Sequence, residues 1–352
     1  MESTTVPVSV LLCVHNGDRY VAEAIESILS QTLSRFEFVI VDDASTNGTP
    51  ALLDGFARRN PRIRLFRLEE NQGLTRALNY GLEQCTGKYI ARIDDDDRSL
   101  PDRLQRQFDF LEQHPDHVAV ACGHHVIDET GRIVSSTDEA LDSWQIRWIG
   151  GFNPPAPHPT YFFHRLAPDG SAFRYDPVYR TAQDFDLWSR MAMQGETAVL
   201  GDILVEYRRH PAAITVSKRR EQAANCRRIG ETNLRNRLPE GLLADLEPLL
   251  DMWDYTRKAD PEGIRRAVAG VNGMLAHDLP HAPDPAHRRW TRRMAAGLLA
   301  DALLSRGGGL HSVRHTLTFL RCAFRHLPFL AYAAGKAPRI ALKSFRAVSR
   351  EH

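Results

Sequence analysis

The chain has 352 residues, 43% of them hydrophobic and 25% charged, with a net charge of +1. This is an ordinary globular composition. It excludes disordered and collagen-like chains and fits one large domain with an appendage, or two domains. The near-neutral total hides a split: residues 286–352 hold thirteen Lys or Arg against two Asp or Glu, and residues 1–285 hold 32 against 42.

In chain order, Val8–Val14 is a short apolar run, as expected of a strand buried on both faces. Arg19–Gln31 places Val21, Ala24, Ile25, Ile28 and Leu29 on one helical face. Phe36–Val41 is a second buried strand, ending at Asp42 and Asp43. Ser45, Asn47 and Gly48 form a turn before a helix that runs to about Arg59. Ile63–Arg67 reads as a third strand. Gly73–Cys85 is helical, with Gly87 capping its end. Lys88–Ile93 is a fourth strand that runs into Asp94–Asp97. Ser99 and Pro101 read as an N-cap and first turn of a helix to about His114. Val118–Cys122 is a further strand. Gly150–Pro159 carries four prolines and reads as a loop. Tyr161–Phe163 reads as a strand, Gln183–Gln194 as a helix and Leu200–Tyr207 as another strand. From about Glu221 onward the pattern is helical, with a Gly307–Gly309 hinge. Beyond that hinge, Leu310, Val313, Leu317, Leu320, Phe324 and Leu327 recur at helical steps among arginines.

Alternating strands and helices predict a mostly parallel α/β sheet, in which ligands bind outside the carboxyl ends of the strands. Asp42 and Asp43 lie at one such end and Asp94–Asp97 at another. Four adjacent carboxylates repel one another unless a cation neutralises them, and Mg²⁺ or Mn²⁺ prefers oxygen donors. Taken alone, the run reads equally well as a solvated acidic turn before a helix. Asp42 and Asp43 can accept hydrogen bonds from a base or ribose, but alone they read as an Asx turn with Ser45. His158, Asp184, Asp186 and His210 each read, alone, as structural or surface groups.

Their order changes that reading. The segments VSVLLCVHNGDRYVAEAIESILSQT, FEFVIVDDASTNGT, NQGLTRALNYGL, GKYIARIDDDD, RSLPDRLQRQ, HPTYFF, QDFDLWSRM and YRRHPAAIT follow one another between Val6 and Ser217. Together they resemble glycosyltransferase family 2, inverting enzymes with the GT-A fold. The resemblance implies a GT-A catalytic domain over residues 1–220 and leaves 221–352 as a C-terminal helical region, basic from about 286. It implies that Val14 and His15 border the nucleobase and that Asp43 or Asp42 binds base or ribose. Asn71, Gly73 and Arg76 would face the nucleotide. Asp94 and Asp96 would form the D-x-D pair, with Asp95 between them, Asp97 beside them and Asp96 on the metal. Asp184 matches the general base. Arg208 and His210 match an element that closes over the diphosphate, with His210 joining Asp96 at the metal. The implied cofactor is Mn²⁺ or Mg²⁺. The implied donor is a nucleotide-sugar, with UDP the family's commonest nucleotide. The acceptor would be a glycan or lipid-linked hydroxyl in cell-surface polysaccharide, lipopolysaccharide or glycolipid assembly. The sequence departs from the pattern at Gly17, where an acidic residue is frequent, at Gln183, where Glu is commoner, and at Asp95, where a small residue is usual.

A nucleotidyltransferase would need a Gly-rich basic loop after the first strand, where Val14–Arg19 offers only Gly17 and Arg19. A dehydrogenase would need G-x-G-x-x-G there. A non-catalytic sugar-nucleotide scaffold would have no need of Asp94, Asp96 and Asp184 together. The basic tail suggests an anionic membrane surface as partner rather than nucleic acid, or a helix packed on the body with a solvated basic face. Cys13, Cys85, Cys122, Cys226 and Cys322 form no C-x-x-C pair, which fits a reducing compartment. The start lacks a signal peptide's pattern and no apolar run reaches 18 residues, so the expected location is cytoplasmic, free or at the inner face of the cell membrane.

Overall fold

The computed structural model describes residues 6–211, 218–250 and 261–304. The chain divides into two compact units. One holds Met1–Arg147 and Pro154–Arg219, and the other holds Trp148–Asn153 and the helices after Arg220.

The first unit opens with β1 (Val8–Val14), α1 (Val21–Leu29), β2 (Phe36–Asp42), α2 (Thr49–Arg59), β3 (Ile63–Arg67), α3 (Leu74–Gln84) and β4 (Tyr89–Arg92). These four strands pair in parallel in the order β3-β2-β1-β4. Every residue of β1, β2 and β4 is buried, which explains their unbroken apolar runs. Val21, Ala24, Ile25 and Ile28 of α1 and Leu53 and Phe56 of α2 pack with Val8, Val10, Leu12 and Val14 of β1 on one face. Each buried Val, Leu, Ile or Phe among them stabilises the fold by about 1.5–3 kcal/mol. On the other face α3 lies close against β1: a Cβ on Gly81 would stand 2.4 Å from Leu11 Cδ1.

Beyond β4 the sheet is mixed. The strands β5 (Arg98–Ser99), β6 (His117–Ile127), β7 (Ile133–Thr137), β8 (Phe162–His164) and β9 (Glu196–Arg208) complete nine. They are interleaved with α4 (Arg103–Gln113), α5 (Ser143–Ile149), a 3₁₀ turn at His158–Thr160, and α6 (Gln183–Gln194). β8 inserts antiparallel between β4 and β6, and β9 pairs parallel to β6. The two-residue β5 pairs antiparallel with β9, setting Arg98 opposite Glu206 and Ser99 opposite Val205. That pairing overturns the expected helix start. Ser99 is a strand residue, Leu100 N–H donates to Leu204 O at 2.9 Å, and α4 begins at Arg103 after Asp102. A long-range ladder has overridden a local cap. Gly87 also serves otherwise than as a helix cap: α3 ends at Gln84, and a Cβ on Gly87 would stand 2.6 Å from Ser9 N.

The second unit contains α7 (Arg219–Arg237, entering from the first unit), α8 (Glu240–Leu250), α9 (Pro261–Asp278) and α10 (Pro285–Leu304). Pro248 lies inside α8 rather than ending it. Trp148 packs edge-on against Trp290, and Asn233 Nδ2 donates to Gly150 O at 2.6 Å. No described helix is long and apolar enough to cross a membrane. The Gly307–Gly309 hinge and the amphipathic pattern over 310–327 lie outside the described residues.

Candidate active site

Register places the acidic residues. Val14 of β1 pairs with Asp42 of β2, and Leu11 of β1 pairs with Arg92 of β4. Both acidic segments therefore flank the carboxyl end of β1. Three non-glycine residues have positive φ among the described residues: Asn16 at 58°, Ala44 at 56° and Ala182 at 57°. They follow β1, follow β2 and precede α6. Such strained positions gather where a site demands them.

Asp42 and Asp43 are buried. Asp42 accepts from Ser45 N–H at 2.9 Å and lies 3.5 Å from Arg67 Nε. Asp43 accepts Gln72 N–H at 2.8 Å and Gly73 N–H at 2.9 Å on its two oxygens. It thereby fixes the loop that starts α3, and each oxygen keeps a free lone pair. Gly73 has φ 85° and ψ 156°, a region open essentially to glycine alone. Asn71 and Arg76, on either side, are exposed. Val14 is buried, with its carbonyl taken by Asp43 N–H, so only the rim beyond it is open. His15 is exposed and its Nδ1 meets Asp43 O at 2.7 Å.

The acidic turn follows β4. Arg92, fully buried, donates from Nη2 to Asp94 Oδ1 and from Nη1 to Leu11 O at 3.2 Å. Burial raises the Asp94 carboxyl and Asp96 adds to the rise, while Arg92 opposes it. Burial and the neighbouring Asp96 and Asp94 push Asp95 up to about 8. Burial holds Asp97 well above the usual carboxylate range, and its Oδ2 has no partner. The turn thus concentrates more carboxylate than the protein itself neutralises. Gly17 makes room for Asp95, because a Cβ there would fall 2.1 Å from Asp95 Oδ2.

β9 returns the chain to this turn. His210 Nε2 lies 2.9 Å from Asp96 Oδ2, across 114 residues of sequence, and its ring leans on Tyr20. Adjacent donors on a hard cation bound at about 2.1 Å stand about 3 Å apart, so this carboxylate and imidazole fit one Mn²⁺ or Mg²⁺. Among the described residues no group of three or more such side chains forms a metal cage. Arg208 is placed differently from the expected diphosphate contact. It is buried. Its Nε donates to Asp96 O at 2.8 Å and its Nη2 to Glu23 Oε2 at 2.7 Å. Its backbone N–H donates to Asp97 Oδ1 at 2.6 Å, and its guanidinium covers the Tyr20 ring at 4.4 Å. The charge is spent in holding the acidic turn from behind.

Asp184 sits in the first turn of α6, after the strained Ala182. Burial raises its carboxyl to about 6, with Asp94 adding and the Phe185 N–H and Arg92 opposing. Asp184 and the D-x-D turn therefore share one electrostatic environment. The same region holds His158, which read alone as structural, with Tyr175, Tyr161 and Trp188, to which the sequence assigns no role. His158 Nε2 meets Tyr175 Oη at 2.8 Å, and Tyr161 stacks on Trp188 at 3.4 Å with its hydroxyl buried and unpartnered. Arg92 is a further group without an assigned role, and its signal in the sequence is a charge closing the otherwise uncharged strand β4.

Known proteins resemble this chain in sequence and fold. The model of glycosyl transferase family 2 matches residues 9–175. The putative glycosyltransferase EpsE of Bacillus subtilis is 38% identical over 199 residues, covering 53% of this chain and 67% of EpsE. The chain belongs to glycosyl transferase family 2. The O-antigen biosynthesis glycosyltransferase WbnJ of Escherichia coli is 32% identical over 210 residues, covering 58% of this chain and 80% of WbnJ. Among solved structures, S. aureus TarS 1–349 with UDP-GlcNAc superposes with a TM-score of 0.56 at 16% identity, covering 91% of each chain. The mannosyltransferase PcManGT of Pyrobaculum calidifontis, with GDP-Man and Mn²⁺, gives 0.51 at 20% identity, covering 86% of this chain and 87% of PcManGT. These two likenesses establish a GT-A-type fold for a family 2 glycosyltransferase.

Proposed function

We propose that this glycosyltransferase moves a sugar from a UDP-sugar to an acceptor hydroxyl with inversion, in cell-surface polysaccharide, lipopolysaccharide or glycolipid assembly. The observation that carries the reading is the approach of His210 to Asp96 at the carboxyl edge of the sheet. Asp96 and His210 would hold Mn²⁺ or Mg²⁺, which supplies Lewis-acid charge to the leaving diphosphate. Relatives support the pathway and donor: WbnJ is named for O-antigen biosynthesis, TarS was solved with UDP-GlcNAc, and PcManGT carries Mn²⁺.

In this reading Asp43, with His15 and the rim at Val14, receives the base and ribose. Asn71, Gly73 and Arg76 border the nucleotide. Asp94 accepts donor hydroxyls, while Asp95 and Arg208 shape the turn. Asp184 takes the proton from the acceptor hydroxyl as that oxygen bonds to the anomeric carbon and the bond to the diphosphate breaks. A single displacement inverts the anomeric centre. The exposed Arg288, Arg289 and Arg292 of α10 would draw the enzyme to an anionic membrane bearing a lipid-linked acceptor.

Thermal shift with UDP, GDP and CDP, with and without Mn²⁺, followed by transfer assays on nucleotide-sugars, tests the reading. Asp184→Asn should lose about 10²–10⁴-fold in kcat while still binding donor. Near-normal transfer would remove Asp184 from the mechanism. Asp96→Ala retaining both activity and metal dependence would remove the metal assignment. Charge reversal of the three arginines should release the protein from phosphatidylglycerol vesicles at low salt. Undiminished sedimentation would defeat the membrane attachment.

A further inference from the structure

Arg92 closes β4, a strand whose other members are Tyr89, Ile90 and Ala91, and it is fully buried. An arginine in such a place is costly unless it is held and paired. Its backbone N–H donates to Tyr161 O at 3.1 Å, and its carbonyl accepts from Arg103 Nη2 at 2.7 Å. Arg103 is itself buried and locked, with Nη1 on Ser99 Oγ and Nε on Gln107 Oε1. The Arg92 guanidinium then spans β1 and the acidic turn, from Leu11 O to Asp94 Oδ1. Arg92 and Asp94 are two residues apart at a strand end, which puts their side chains on one face.

The two ends of the D-x-D turn thus have different partners. Asp96 presents an oxygen to His210. Asp94 has one oxygen fixed to a buried guanidinium that cannot lose its proton. We propose that Arg92 is a positioning residue for Asp94: by holding one carboxylate oxygen it aims the other at a donor hydroxyl, leaving the cation to Asp96 and His210. This rests on the nucleotide-sugar reading above, and the test separates the two.

The test is a double-mutant cycle on the full chain, read by calorimetric titration of UDP and UDP-GlcNAc at saturating MnCl₂ and by the Mn²⁺ concentration that half-saturates UDP binding. If wild-type protein binds neither nucleotide, the functional reading fails, whatever Arg92 does. If it binds, Arg92→Met should weaken UDP-GlcNAc about tenfold or more and leave half-saturating Mn²⁺ within about twofold. Arg92→Lys, which keeps the charge without the planar fork, should recover part of the loss. Asp94→Asn and Arg92→Met/Asp94→Asn should bind alike within about twofold, since Arg92 acts only through Asp94. Additive losses in the double variant, or a shift in Mn²⁺ requirement with donor affinity intact, would overturn the assignment. Should Arg92→Met fail to fold, the double variant removes both buried charges together, and its comparison with Asp94→Asn and Arg92→Lys still decides.

Discussion

At the residue scale the site's chemistry is set by burial acting on carboxylates. Asp184 is raised to about 6 chiefly by burial, so an unmodified carboxyl's range is moved toward neutrality. A base must be ionised to accept a proton. At pH 7 about nine-tenths of Asp184 is ionised, and below pH 6 the fraction falls about tenfold per unit. The acid limb of the kcat profile should therefore break near pH 6 rather than near 4. A profile flat down to pH 5 would show that another group takes the proton. Gly17 gives a second test at this scale. A methyl group there would overlap Asp95 Oδ2 at 2.1 Å and Val14 Cγ2 at 2.7 Å. Gly17→Ala should displace the Asp95 carboxylate, costing about 1–3 kcal/mol of stability as overpacking does. Donor affinity should fall alongside, and calorimetry showing unchanged UDP affinity would sink the link between Gly17 and the site. The residues that looked like departures from the family pattern, Gly17 and Asp95, are thus explained together: a side chain at 17 and a carboxylate at 95 compete for the same space.

At the element scale, the strands that aim the site were legible because each is short, buried on both faces and nearly free of charge. Val8–Val14 and Phe36–Val41 could be read as runs, and the carboxylates after the second followed. What was not legible depends on partners far away in sequence. Ser99 followed by Pro101 has the composition of a helix start, but β9 claims Ser99 for a ladder across more than a hundred residues. Arg208 shows its charge in the sequence but not where its donors go, and in the fold they go to Asp96 O and Glu23 while the guanidinium lies over the Tyr20 ring. Gly73 offers the cleanest element-level prediction. Its φ of 85° and ψ of 156° cost a residue with a Cβ about 1–3 kcal/mol, although no neighbour stands within 4 Å. Gly73→Ala should lower Tm and loosen the Asp43 anchor at the start of α3, raising the donor KM more than it changes kcat. A variant with wild-type Tm and KM would show that the loop relaxes without strain.

At the scale of the whole molecule, the chain is not simply a catalytic half followed by a helical half. Trp148–Asn153 lies within the sequence of the first unit yet belongs to the second. Periodicity could not reveal this, because six residues running from the end of α5 into a loop are too few to show a period. The segment is clasped by helices from the far end of the chain. Trp148 is almost fully buried and meets Trp290 with ring centroids 5.8 Å apart. Gly230 lies so close to Gly151 that a Cβ would stand 2.7 Å from its carbonyl oxygen, and Leu234 packs on Gly151 itself. Ending the chain after Arg219 removes all of these partners and bares Trp148 and Phe152. A large apolar patch on a soluble protein drives association. A 1–219 truncation should therefore aggregate or melt well below the full chain, although it keeps every candidate site residue. Within the full chain, Trp148→Ala should cost about 3–5 kcal/mol in the second unit, the range for truncating a buried aromatic. Donor binding at 25 °C, read by calorimetry, should survive that substitution, because every candidate site residue belongs to the first unit. A 1–219 fragment that stays monomeric and melts within about 2 °C of the full chain, a shift too small to register the lost packing, would mean that Trp148–Asn153 needs no cover.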